Sequence, residues 1–168
     1  MNKKARIIIE NENNNLCLFY ALELSRLYHD RDQIRQIKKN KKSIPQQLVT
    51  QQSFDRIKKN KTRQYEIALK LANELGIDPE QTEKAFGLEE IKQVQEFYDR
   101  QYPGMYRIVV MDENPEVKPL WKAPLNNAKY EVAIYYENNH YDGLISIAKY
   151  YGAKNYCIGI NMFYLYAI

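Results

Sequence analysis

Three residues of this chain have the types and spacing for nucleophilic catalysis: Cys17, His140 and Asp142. Cys17 follows the polar run Asn11-Glu12-Asn13-Asn14-Asn15 and opens a stretch of helical periodicity. The free amides and dipole of a helix N-terminus stabilise a thiolate and can hold an oxyanion formed beside it. Flanked by Leu16 and Leu18, Cys17 also reads as a small buried hydrophobe. His140 and Asp142 sit two apart in His140-Tyr141-Asp142. In an extended strand they project to one face and Tyr141 to the other. A carboxylate so placed can hold an imidazole in one tautomer and steady its protonated form, the part played by the third member of a Cys-His-Asp triad. The plainer alternative is a histidine at a hairpin end, packed among tyrosines. His29 lies ~18 Å from Cys17 along a continuous helix, too far to serve it. It is expected at an exposed helix end.

These side chains need a helix under Cys17 and a hairpin around His140. Leu18, Ala21, Leu22 and Ser25, then Leu24, Leu27 and Tyr28, recur at helical spacing, so a helix is expected over 17–28. Asp30 to Lys42 is charged and weakly amphipathic, and Pro45 starts or interrupts a helix. Further helices are expected over 65–75, closed by Gly76, and over 88–98, with Ile91, Val94 and Tyr98 inward. Then the period changes. Ala5 to Glu10, Met105 to Met111, Tyr130 to Tyr136 and Tyr141 to Ile147 read as strands or extended segments. Glu137-Asn138-Asn139 supplies turn chemistry between the last two. Helices before strands argue an α+β class rather than a βαβ array.

The stretch Asn14-Asn15-Leu16-Cys17-Leu18-Phe19-Tyr20-Ala21-Leu22 resembles the nucleophile motif of OTU (ovarian tumour) cysteine proteases, Asp-Gly-Asn-Cys followed by an apolar pair and a small residue. His140-Tyr141-Asp142 resembles their closing His-aromatic-Asp/Asn motif. Ala72 to Val110 resembles the divergent OTU-like domains of mobile-element and viral proteins. The resemblance spans roughly residues 5–155. It departs in the nucleophile loop, where Asn14, Asn15 and Leu16 replace the family's Asp, Gly and Asn. The resemblance implies one catalytic domain over 1–168 with a papain-type fold, a small central sheet flanked by helices. It implies a thiol peptidase acting on ubiquitin or ubiquitin-like conjugates without metal or cofactor. Catalysis falls to Cys17, His140 and Asp142, and oxyanion or substrate contacts to Asn14, Asn15 and Leu16. The alternative is a catalytically inactive OTU-like module that binds ubiquitin or another partner within a larger mobile-element or viral protein. Relatives often carry a Cys pair after the His strand. Here Cys157 is followed three residues on by Ile160, so Cys157 reads as a core residue.

Composition bounds these readings. With 168 residues and 45% hydrophobic content, the chain can bury a core, which excludes wholesale disorder. No apolar run reaches the ~18 residues of a membrane helix, and Ile7 to Ile9 is too short for a signal peptide. Two cysteines make neither a disulfide framework nor, alone, a zinc site. A soluble cytoplasmic protein is expected. The apolar finish over 156–168 fits a final core strand or a domain cut from a longer polypeptide. The net charge of +4 hides a bipolar chain. Residues 31–70 hold 12 Lys or Arg against 3 Asp or Glu, and residues 74–142 hold 14 acidic against 7 basic. The basic segment can bind phosphates, nucleic acid among them, but Phe54 and Tyr65 are its only aromatics, too few for a stacking platform. The acidic half offers partners for the basic tail of ubiquitin.

Overall fold

Nine of the twelve residues in Cys17–Tyr28 (α1) are buried, so this helix is interior on nearly every side. In the computed structural model, which describes residues 3–11, 14–80, 85–113, 118–124, 127–152, 156–157 and 162–163, the other elements are built around it. The charges α1 takes inside are paired. Arg26 grips the Glu23 carboxylate, with Nη2 2.8 Å from Oε2, and the Tyr98 hydroxyl donates to Glu23 Oε1 at 2.7 Å. Tyr98 belongs to α5 (Leu88–Gln101), so this network ties α1 to a distant helix.

Between them run α2 (Asp30–Lys39), α3 (Gln51–Lys59) and α4 (Lys61–Glu74). Pro45 lies in the turn before α3, and Thr50 caps that helix by accepting from the Ser53 amide at 3.2 Å. Helix α4 begins before the expected Tyr65 because Asn60 caps it, accepting from the Arg63 amide at 3.0 Å. Gly76 ends it with a φ of 68°.

A five-stranded sheet follows the order β1-β5-β4-β2-β3, with β1 (Arg6–Ile7), β2 (Tyr106–Met111), β3 (Trp121–Lys122), β4 (Tyr130–Glu137) and β5 (His140–Leu144). Among the described residues only β2 and β4 pair in parallel, Tyr106 opposite Tyr130 through Met111 opposite Tyr135. The architecture is thus α+β, with a mixed sheet. The β4–β5 hairpin turns on Asn138 and Asn139, at φ 51° and 59°. Two consecutive positive-φ residues match the twist of the flanking strands, and Asn tolerates that conformation.

The sheet separates two apolar clusters. Ile7, Ile108, Val110, Val132, Ile134 and Tyr141 pack with α1, α4 and α5. Val109, Met111, Ala133, Tyr135 and Leu144 pack on the other face with α6 (Ile147–Tyr151). Ile147, expected to end a strand, instead opens α6, capped by Ser146, which accepts from the Lys149 amide at 3.3 Å. A separate two-stranded ribbon pairs β6 (Tyr156–Cys157) with β7 (Met162–Phe163). The expected core placement of the Cys157 side chain, and the rest of the apolar finish, lie outside the described residues. No helix among the described residues is long and apolar enough to cross a membrane.

Candidate active site

Cys17 is the first residue of α1, as its spacing predicts. Leu16, fully buried, occupies the cap position and offers no side-chain cap, in contrast to Thr50, Asn60 and Ser146 at other helices. The first-turn amides of α1 thus have no cap side chain on them, and those of Cys17 and Leu18 turn toward the Cys17 thiol itself. The loop ahead is fastened by Asn14. Its Oδ1 accepts from the Leu16 amide at 2.9 Å and from Asn11 Nδ2 at 2.8 Å. Asn11 Nδ2 also donates to the Asn14 carbonyl at 2.7 Å, and the Asn14 side chain is hydrogen-bonded with Tyr20. The carboxamide that the sequence offers as an oxyanion donor is therefore committed to holding the loop. Asn15 is half-buried beside it.

The half-buried Cys17 thiol lies against β5. Burial pushes its pKa above 9.0, although hydrogen bonding from the main chain of Tyr141 and Leu18 works the other way. Desolvation thus outweighs the helix terminus, and Cys17 rests as a thiol rather than a thiolate.

His140 and Asp142 do share a face. His140 Nε2 stands 3.3 Å from Asp142 Oδ1. Asp142 is 2% exposed, and both its oxygens have further partners. The Ile9 amide donates to Oδ1 at 2.7 Å, and Arg6 Nε donates to Oδ2. Arg6 Nη2 reaches Glu137 Oε2 at 3.0 Å. These residues were not singled out by sequence reasoning. The sequence marks Ala5 to Glu10 only as a short strand or extended entry, of which Arg6–Ile7 forms β1, and names no partner for it.

One expected contact is not made. Tyr141 packs on the α1 side, its ring 4.9 Å from that of Tyr136. By strand alternation His140 and Asp142 project to the opposite face, where the Arg6 guanidinium lies 4.5 Å from the Tyr135 ring centroid. Among the described residues no hydrogen bond joins the Cys17 thiol to the imidazole; the thiol reaches β5 at the main chain of Tyr141, one residue away.

His29 departs from expectation. It sits between α1 and α2, with Nε2 2.7 Å from the Glu131 carbonyl and its ring stacked 4.9 Å from Tyr130. Burial lowers its pKa, so it is a neutral plug on a strand carbonyl rather than an exposed, partly charged helix end. The acidic side chains nearest the site are also occupied. Glu90 accepts from the Gly87 amide at 2.7 Å, and Glu137 and Asp142 share Arg6. Among the described residues no group of three or more His, Cys, Asp or Glu is placed to hold a metal ion.

The chain matches no protein-family model, no curated protein and no solved structure. What the site can do therefore rests on its own geometry: a thiol at an uncapped helix start, beside a strand that carries an imidazole paired with a fixed carboxylate.

Proposed function

We propose that this protein is a cysteine peptidase of OTU-like, papain-type fold that cleaves ubiquitin or a ubiquitin-like modifier from conjugates. The observation that carries the reading is the seating of Cys17, at the first residue of a buried helix, against the main chain of His140-Tyr141-Asp142. His140 is the first residue of β5, half-buried, next to a two-residue turn. A side chain at a strand's start can swing around the strand edge without breaking the ladder. Binding of the modifier's C-terminal tail along that edge turns the imidazole toward the thiol.

His140 then takes the Cys17 proton as general base while sulfur attacks the carbonyl of the terminal glycine. A resting thiol favours this route over a preformed ion pair. The first-turn amides of α1 hold the tetrahedral oxyanion, with Asn14 fixing the loop that aims them. The imidazolium protonates the leaving lysine amine, and water releases the modifier from the thioester. Asp142, held on the opposite face by Arg6 and the Ile9 amide, steadies the imidazolium by its charge.

A second reading is favoured by one observation, the missing thiol–imidazole bond. In it, the domain binds ubiquitin or another partner without cleaving it. An electrophilic ubiquitin C-terminal probe separates the two. The expected outcome is a covalent adduct on the native protein, absent in Cys17→Ala. Absence of adduct at Cys17, with tight binding of unmodified ubiquitin, selects the binding module. Labelling that survives Cys17→Ala overturns the nucleophile assignment.

A further inference from the structure

The residue that organises the His140–Asp142 pair comes from the far end of the chain. We propose that Arg6 is its positioning residue: a guanidinium that sets a fixed positive charge against the buried Asp142 and holds it in one direction, so that the carboxylate faces His140. This rests on the proposed role of His140, but its physical content does not depend on catalysis.

Strand β1 pairs with β5 in antiparallel register, Arg6 opposite Leu144 and Ile7 opposite Gly143. That pairing lays the Arg6 side chain along the same face as Asp142. The guanidinium forks. Its Nε bonds Asp142 Oδ2, and its Nη2 bonds Glu137 Oε2 at 3.0 Å, across the hairpin on β4. Its plane lies over the Tyr135 ring, which limits where it can turn. With the Ile9 amide on Oδ1 at 2.7 Å, both oxygens of Asp142 are held, and Oδ1 keeps its direction toward His140 Nε2. A carboxylate 2% exposed has almost no water to satisfy it, so its partners must come from the protein, and Arg6 supplies the cation among them. The charge of Arg6 is itself secure: burial works against it, yet Asp142 and Glu137 raise its pKa.

Arg6 bonds Glu137 as well as Asp142, so it braces the two strands that flank the Asn138-Asn139 turn. The charged and titratable groups around the pair are Arg6 on β1, Glu137 on β4, Cys17 on α1, and the Tyr135 and Tyr150 hydroxyls.

The test is a titration of the pair itself, following the His140 ring protons and the Asp142 carboxyl carbon by NMR against pH. In Arg6→Gln a positive charge is removed from beside both groups, so the pair's proton-uptake midpoints should move up. Arg6→Lys, which keeps a cation on β1, should return most of that shift. Midpoints unmoved in folded Arg6→Gln, or not restored by Lys, overturn the proposal. If the Gln variant does not fold, Glu137→Gln reads the bracket from its other end. Losing that negative charge leaves Arg6 wholly to Asp142, and the midpoints should fall; unmoved midpoints there overturn the proposal equally. The ubiquitin probe keeps the two readings apart. Variants that shift as stated, with a native protein that forms no adduct, remove the peptidase and leave the Arg6 assignment standing.

Discussion

Asp142 is a buried carboxylate with both oxygens occupied, and this changes what its replacement should do. From sequence, Asp142→Asn keeps the hydrogen-bond geometry and weakens only the support for an imidazolium. In the fold, Asp142 is also the counter-ion of Arg6. A carboxamide that places its NH2 toward Arg6 sets donor against donor, and one that places its oxygen there turns the NH2 toward the Ile9 amide. Asp142→Asn is therefore expected to cost about 1–3 kcal/mol of stability, measured by urea denaturation. Turnover of a ubiquitin fusion should drop by about 10²-fold or more, as when the orienting acid of a triad is made neutral. Unchanged turnover in the folded variant would assign the orientation of His140 to another group.

At the scale of elements, the site depends on how closely α1 can approach β5. A close approach falls at Gly143, where an added Cβ would lie 2.8 Å from Ser25 Oγ and 3.2 Å from Ile7 Cβ. Neither neighbour can retreat easily. Ser25 Oγ donates to the Ala133 carbonyl at 2.8 Å and accepts from the Leu144 amide at 3.2 Å, so a helix side chain completes the end of the β4–β5 ladder. Ile7 is on the paired strand β1. Gly143→Ala should therefore push α1 and β5 apart and destabilise the protein by about 1–3 kcal/mol, the usual range for overpacking. Chemical denaturation measures the loss, and the reactivity of Cys17 toward an alkylating reagent at fixed pH reports the shifted helix start. An Ala variant as stable as the native protein would show that the approach is not tight.

Across the whole molecule, pH dependence should be set partly by Glu131, opposite Arg107 in the β2–β4 ladder. Burial raises its pKa from 4.5 to about 7, against the opposing charges of Arg107 and Lys122. Between those two pH values the folded protein holds a proton that the unfolded chain has released. Stability therefore falls as pH rises from about 4.5 to about 7, and then levels off. Glu131→Gln removes that loss. It should be near neutral at pH 4.5 and stabilising by about 1–3 kcal/mol at pH 8, read from denaturation curves of both proteins at each pH. His29 pulls the other way, because its lowered pKa costs stability as pH falls below its ordinary 6.5. It is common to both proteins and cancels in the comparison. Equal effects at the two pH values would mean that Glu131 is ionised throughout.

Local pattern was enough to read α1 to its end residues, the hairpin around Asn138 and Asn139, the inward faces of α4 and α5, and the pairing of His140 with Asp142. Each depends on residues within a turn or two of one another, where periodicity and turn propensity act directly. Helix α4 starts earlier than its apolar face because a cap, Asn60, fixes the start. The far side of the site was not legible. Arg6 and Ile9 meet Asp142 only because β1 crosses to the edge of β5, and nothing within either segment names its partner. Sequence left the state of the Cys17 thiol open for a related reason: helix position is local and favours the thiolate, whereas burial is collective and disfavours it. Which face of β5 looks toward α1 was likewise decided by packing. Tyr141 and Gly143 take the side of the large apolar cluster, which leaves His140 and Asp142 on the face where Arg6 waits.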